Sequence, residues 1–141
     1  MGPLQRLFVS AFITLHTTVY RLTDGRIGGR LGAQRILLLT TTGRRTKKSR
    51  TVPLTFFEDG ERLVIIASAG GAPRDPAWWK NLQENAEASV QIDGERRRMR
   101  ARIASVEERA RLWPRVKKEN PAYAQYEQRT TREIPVVLLA L

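Results

Sequence analysis

The stretch RILLLTTTGRRTKKSRTVPLTFFEDGERLVIIAS, residues 35–68, holds three short apolar runs separated by two polar interruptions. Arg35 to Thr42 is built from Ile, Leu and Thr, too short for an ordinary helix and rich in strand formers, so it reads as a strand. A basic loop follows from Gly43 to Ser49. Arg50 to Phe57 is the next strand, and Arg62 to Ser68 returns from it. Between them stands Glu58-Asp59-Gly60-Glu61. Asp-Gly flanked by apolar runs predicts a hairpin, because a type I′ turn needs positive φ at both central residues.

Downstream, Gly70-Gly71-Ala72-Pro73 breaks the sheet. Asp75 suits an N-cap and Pro76 the first helical position, which predicts a short helix from Ala77 to Asn85. Ala88 to Ile92 and Glu95 to Ala104 form a second hairpin around Asp93-Gly94. Ser105 caps a helix from Val106 to about Glu119, with Glu107 and Glu108 at its positive end and a kink or break expected at Pro114. Pro121 to Thr131 is polar and bears two aromatics, and Pro135 to Leu141 is a last apolar strand. Upstream, Leu4, Phe8, Phe12, Leu15, Val19 and Leu22 recur at helical spacing, giving an amphipathic helix over about 4–22. Meandering hairpins with a few helices predict a mainly β, α+β domain spanning 1–141: an antiparallel barrel with peripheral helices, the helix after Ser68 closing one mouth.

Charge and composition bound the chemistry. Lys plus Arg number 25 against 14 Asp plus Glu, a net charge of +11, so the partner is anionic: nucleic acid, lipid, or a phosphorylated or carboxylated ligand. The 141 residues contain no Cys and one His. That removes thiol nucleophiles, disulfides and cysteine-held metals, and no metal site is expected. Chemistry then comes from a borrowed cofactor or from Tyr, Ser and carboxylates. Leu7 to Leu15 is far shorter than a membrane span, and no small-residue cleavage site follows it, so a retained segment in a cytoplasmic protein is expected. Any membrane contact through this helix would be peripheral and salt-sensitive.

Four constellations could carry function. In Arg44-Arg45-Thr46-Lys47-Lys48-Ser49-Arg50, five of seven residues are cationic, and they lie in a loop between strands where backbone amides can join them around a phosphate. In the Ser68 to Asn81 stretch, small residues permit close approach to a planar ligand. Trp78 can stack on a ring with Asn81 on the same helical face, while Trp79 reads as core. Arg96, Arg98, Arg100 and Arg102 alternate with Met99, Ala101 and Ile103, which reads as the solvent side of a strand, since no aromatic is interleaved to stack a base. Tyr123 and Tyr126 are three apart and share a helical face.

These segments, in order, resemble the deazaflavin-dependent nitroreductase family. The matching pieces are Leu37 to Arg45, Arg50-Thr51-Val52-Pro53-Leu54, Ala67 to Pro73 with Pro76-Ala77-Trp78 and Asn81, then Tyr123, Tyr126, Arg129-Thr130 and Ile134 to Val137. The resemblance implies a split β-barrel, often dimeric in the wider fold, and coenzyme F420, a deazaflavin with a phosphate and a polyglutamate tail. It implies the phosphate end near Arg44, Arg45, Thr46 and Arg50, with Lys48 in the same loop. It implies the ring beside Thr51, Val52, Pro53, Leu54 and Thr55, beside Ile66, Ala67, Ser68 and Ala69, and beside Ala77, Trp78, Trp79, Lys80 and Asn81. Tyr123 would close the pocket and Tyr126 would line the acceptor side, with Ser68, Tyr123 and Tyr126 as acceptor-pocket or proton-donating groups. Lys47 stands where the family often has Gly, and Asn120 where the nitroimidazole-reducing member carries an aromatic. The implied reaction is hydride transfer from reduced F420 to an electron-poor enone, quinone or nitroaromatic. Two other readings stand beside it: an FMN-using split barrel of the pyridoxamine-phosphate-oxidase type, and a basic nucleic-acid-binding module, for which only weak, unspecific binding is expected.

Overall fold

The computed structural model describes residues 30–31 and 34–141, with side chains from Arg35 onward. The helix expected over 4–22 and the glycines at 28, 29 and 32 lie outside the described residues.

Strand β2 (Gln34–Thr42) is the hub. A two-residue strand β1 (Arg30–Leu31) pairs with its start. Along one edge β2 meets β3 (Ser49–Thr55) in antiparallel register from Ile36↔Thr55 to Thr42↔Ser49. It also meets β6 (Glu87–Ile92), with Thr40 opposite Ser89. The sheet continues through β7 (Glu95–Ile103) and β8 (Val136–Ala140) to β5 (Arg62–Ile66) and β4 (Phe57–Asp59), every neighbour antiparallel. This is the expected α+β split barrel. The strand expected over 50–57 is two strands, because the Phe56 N–H turns back to the Arg35 carbonyl and Phe57 opens the pairing with β5. One nearly continuous chain thereby leaves β2 and joins β5, which curls the sheet.

The apolar runs of β5 and β8 are buried on both faces. Leu63 and Ile65, with Val137 and Leu139, point into the barrel with Leu37, Leu39, Phe56 and Met99. Val64 and Ile66, with Val136 and Leu138, point outward into a second core with Phe57, Leu112, Trp113, Val116 and Tyr123. Continuous hydrophobicity in a short strand is the signature of burial on both sides. Helix α1 (Ala77–Glu84) sends Trp78, Trp79 and Leu82 into the inner core. Helices α2 (Val106–Glu119) and α3 (Ala122–Gln128) cover the outer one. In β7, Met99 and Ala101 are buried and all four alternate arginines exposed. Ile103, on the apolar face by alternation, is 54% exposed at the rim as the last residue of β7.

Local chemistry explains where elements begin and end. Asp93 and Gly94 have φ of 49° and 83° between paired Ile92 and Glu95, as a type I′ turn requires. The first hairpin differs from expectation. Asp59 is paired with Arg62, so Gly60 and Glu61 are the central residues, and only Gly60 has positive φ, the type II′ pattern. Asp59 instead accepts from Arg62 and, through both oxygens, from Arg111 on α2. Ser105 and Glu108 form a complete capping box. Helix α2 runs through Pro114 without ending there. Pro114 and Ala110 are both exposed, so water can replace the lost backbone bond. Asp75 is not a cap: Pro76 occupies that position, and the Asp75 carboxylate pairs with Arg132. The segment after Pro121, where Tyr123 and Tyr126 were expected to share a helical face, is helical over Ala122–Gln128.

The β4–β5 hairpin and α2 are joined by an ion network. Arg62 bridges Asp59 and Glu108, and Arg102 grips Glu108 through two bonds of 2.7 and 2.8 Å. Hydrogen bonds from Arg111, helped by Arg62, bring the Asp59 carboxyl down to about 2. Bonds from Arg102, then from the Ser105 N–H and Arg62, hold Glu108 well below the usual carboxylate range. Depressed carboxyl values in the folded state mean stability that is complete above the unfolded values and lost as pH falls through the folded ones. The fold is therefore expected to lose stability from about pH 4 downward. In urea unfolding followed by circular dichroism, Asp59→Asn lowers the midpoint at neutral pH and makes the decline between about pH 4 and pH 2 shallower.

Candidate active site

The strand registers decide which loops meet. The Thr42/Ser49 end of β2–β3, the Glu87/Arg100 end of β6–β7 and the Ile66/Val136 end of β5–β8 all face one way. The basic loop 43–48 and the segment 67–76 therefore share one mouth. The turns at Gly60 and Asp93–Gly94 share the other.

The basic loop is tightly folded. The Gly43 N–H donates to the Lys48 carbonyl and the Lys47 N–H to the Gly43 carbonyl, each at 2.8 Å. A Cβ on Gly43 would stand 2.8 Å from Thr46 Oγ1 and 3.1 Å from the Lys48 oxygen, so glycine is required by space. Lys47 has φ of 61°, a left-handed conformation that glycine adopts without cost. That is the physical meaning of the family's frequent Gly there. Thr46 Oγ1 accepts from the Lys48 N–H and from Arg50 Nη2.

Asn81 ties this loop to α1. It is 4% exposed. Its Oδ1 accepts from the Arg44 backbone N–H at 3.2 Å and from Arg44 Nη1 at 3.1 Å, and its Nδ2 donates to Thr41 Oγ1 at 3.1 Å. The result is a cleft of about 370 Å³ between loop and helix. Of the residues expected from sequence, Arg44, Arg45, Thr46, Arg50, Thr51, Val52, Ala77, Trp78 and Asn81 line it. Gly43, the first residue of the basic loop, lines it as well, and so does Thr41, which was missed. Thr41 was legible as the residue that continues the inward alternation of Leu37 and Leu39 to the rim. The Arg45 guanidinium has no partner among the described residues.

Other expected residues lie elsewhere. Lys48 is exposed and outside the cleft lining, Trp79 is core, and Lys80 is on the half-buried flank of α1. Leu54 packs against the inner core, while Pro53 and Thr55 are half-buried farther along β3. Ile66 is in the outer core and Ala67 in the inner one. Ser68 and Ala69 belong to a second group at the same mouth. Ala69, Gly70 and Gly71 form a left-handed turn with φ of 47°, 65° and 83°. A Cβ on Gly71 would meet the Tyr126 carbonyl oxygen at 2.8 Å, so α3 is seated directly on that glycine. The Tyr123 ring packs edge-on against Phe57, Trp113 and Tyr126. Burial, with a smaller contribution from neighbouring Tyr126, pushes its phenol up to about 12 despite a hydrogen bond with Thr55. Tyr123 is thus a neutral, anchored wall, and Tyr126, half-buried, is the more accessible phenol.

The sequence profile of the F420H(2)-dependent quinone reductases matches residues 12–140. The chain belongs to that family. An F420H(2)-dependent quinone reductase of Mycobacterium tuberculosis strain H37Rv is 41% identical over 140 residues, covering 96% of this chain and 94% of the relative. A solved F420-H2 dependent reductase superposes with a TM-score of 0.68 at 37% identity, over 74% of this chain and 93% of its own. A solved structure described as a domain-swapped dimer gives 0.71 at 34% identity, over 90% and 96%. The family's members are oxidoreductases and its cofactor is F420, which sets the FMN reading aside. A cation-rich loop with an unpaired Arg45, beside an apolar wall made by Val52 and Trp78, suits a long anionic deazaflavin.

Asn81 is expected to act as the linchpin of the cleft. Asn81→Ala leaves the Thr41 hydroxyl and the Arg44 N–H without partners and costs about 1–3 kcal/mol of stability. Asn81→Asp, which can still accept from Arg44, is milder. Chemical denaturation of both variants checks the order.

Proposed function

We propose that this F420-dependent reductase passes a hydride to a quinone at the mouth shared by the basic loop and the 67–76 segment. The carrying observation is the cleft that Asn81 makes by fastening the cationic loop to the helix of Trp78. Arg44, Arg45, Thr46 and Arg50 would hold the phosphate and carboxylates of the cofactor. Thr51, Val52, Ala77 and Trp78 would wall its ring, and the left-handed turn with Ser68 and Tyr126 would face the acceptor. Bound in its reduced form, F420 supplies the hydride, so the chain's own contribution is alignment and electrostatics. Trp78 keeps water from the ring, and the Tyr126 phenol or Ser68 hydroxyl lies where a proton must arrive. A quinone is preferred to an enone or a nitroaromatic because the M. tuberculosis relative carries that activity in its name.

The nucleic-acid reading has little support in the arginine strand, where Arg100 pairs with Glu87 and Arg102 with Glu108. Homodimer formation is supported by the domain-swapped dimer among the structural neighbours. Among the described residues no helix is long and apolar enough to cross a membrane. Peripheral contact with anionic lipid through residues 4–22 would show as flotation with liposomes that high salt reverses.

Fluorescence titration with F420 and with FMN tests the core of this reading. Binding of F420 with hydride transfer to a soluble quinone is expected; tight FMN binding without response to F420 overturns it. Arg45→Ala and Arg50→Ala each weaken F420 binding by about ten- to a hundred-fold with the fold intact, the loss expected for one charge-assisted phosphate contact. Unchanged affinity in both moves the phosphate site elsewhere.

A further inference from the structure

Arg132 lies outside the cleft and plays no part in the function above, yet it makes the densest set of polar contacts at this mouth. Its Nε donates to the Ala72 carbonyl at 3.0 Å, its Nη1 to the Ala67 carbonyl at 3.2 Å and to Asp75 at 2.9 Å, and its Nη2 to the Ser68 carbonyl at 2.8 Å. One side chain thus clamps both ends of the segment that contains the left-handed turn. The side chain is 16% exposed.

The clamp has a directional consequence. No peptide bond in the described residues is cis. In a trans peptide the carbonyl and the N–H point in opposite directions. Holding the Ala67 and Ser68 oxygens on the Arg132 side therefore aims the Ser68 and Ala69 N–H groups the other way. Neither N–H has a partner among the described residues, and neither has the hydroxyl of Ser68, a residue only 8% exposed. Ala69 and Gly70 are exposed, with open space above Gly70. The guanidinium charge also polarises both peptides, which strengthens their N–H groups as donors.

We propose that Arg132 is a positioning residue that aims the Ser68 and Ala69 N–H groups, with the Ser68 hydroxyl, at the acceptor oxygen that becomes anionic during reduction. The proposal rests on the F420-dependent quinone reduction above. Reduced F420 gives up a hydride and a proton to become F420. The hydride carries two electrons to the quinone, one oxygen of which is left anionic, and the proton, exchanged through water, converts it to the hydroquinone. Donors fixed beforehand around that oxygen stabilise it without reorganisation.

The test uses Arg132→Lys and Arg132→Gln, with F420 affinity, steady-state kinetics and a cofactor-free optical titration. F420 affinity is expected to stay within about threefold, because the hydrogen bonds of the Arg132 side chain go to none of the cleft-lining residues. The quinone kcat falls on the order of ten- to a hundred-fold with little change in KM, as misplacement of a transition-state contact predicts, and Lys recovers part of it. In the titration p-nitrophenol, a stand-in for the phenolic product, binds the wild-type chain preferentially as phenolate, so its bound pKa falls by about one unit or more. The shift is lost in Arg132→Gln. A kcat that survives both substitutions, or a loss matched by an equal loss of F420 affinity, overturns the proposal. If neither variant folds, an unshifted phenol on the wild-type chain overturns it alone. Were wild type to bind no F420, the reductase reading would fall, while the phenol titration, which contains no cofactor, would still decide the clamp.

Discussion

Phe56 and Phe57 are adjacent in sequence and must both be buried, but neighbouring residues of an extended chain point to opposite faces. The barrel is the solution to that constraint. Phe56 enters the inner core and Phe57 the outer one, and at this point the chain changes partner from β2 to β5. The change of partner gives β5, near the far end of the strand order, a neighbour in β4. It also sets the curl, and the curl sets the mouth. Were β3 to continue straight as one strand, the basic loop at its start and the 67–76 segment after β5 would not face each other.

The charge distribution follows the same division. Away from the mouth, arginines are largely spent in pairs: Arg62, Arg102 and Arg111 on Asp59 and Glu108, Arg35 on Glu58 and Asp93, Arg115 on Glu119. Exposed pairs of this kind add little stability singly, but the network around Glu108 also completes a helix cap and so fixes α2 against the hairpin. Residues 43–50 contain no acid, and Arg45 is left unpaired. The excess positive charge is therefore most available where the cleft opens, which is what an anionic cofactor needs.

Rigidity at the mouth comes from side chains that fasten backbone rather than from packing. Asn81 holds the Arg44 amide, and Arg132 holds three carbonyls. Both stand on elements distant in sequence from what they hold. Each bond closes a long loop, so neither could be guessed from neighbours along the chain. Gly71 contributes by lacking a side chain, since only then can α3 bring the Tyr126 backbone and Arg129 against the turn.

Strand content, the Asp93–Gly94 turn, the Ser105 cap and the cationic loop were legible in the sequence, because each rests on preferences acting within a few residues: alternation, positive φ at Gly, side-chain capping, repulsion among like charges. The ordered resemblance to a known family added the cofactor and most of the cleft lining. What the sequence did not yield depends on contacts across tens of residues. Asp75 looked like a cap and became the partner of Arg132. The Asp59–Gly60 pair looked like the centre of a turn, but Asp59 is held in the strand by Arg62 and Arg111, shifting the turn by one residue. Trp78 was told apart from Trp79 by its place on the helical face of Asn81, but that Asn81 fastens this face to the basic loop through Arg44 was not visible in the sequence. Local conformational preference is written in the chain itself. Which polar groups meet is decided only when the sheet closes, because hydrogen bonds are short-ranged and the closed barrel is what brings their partners within reach.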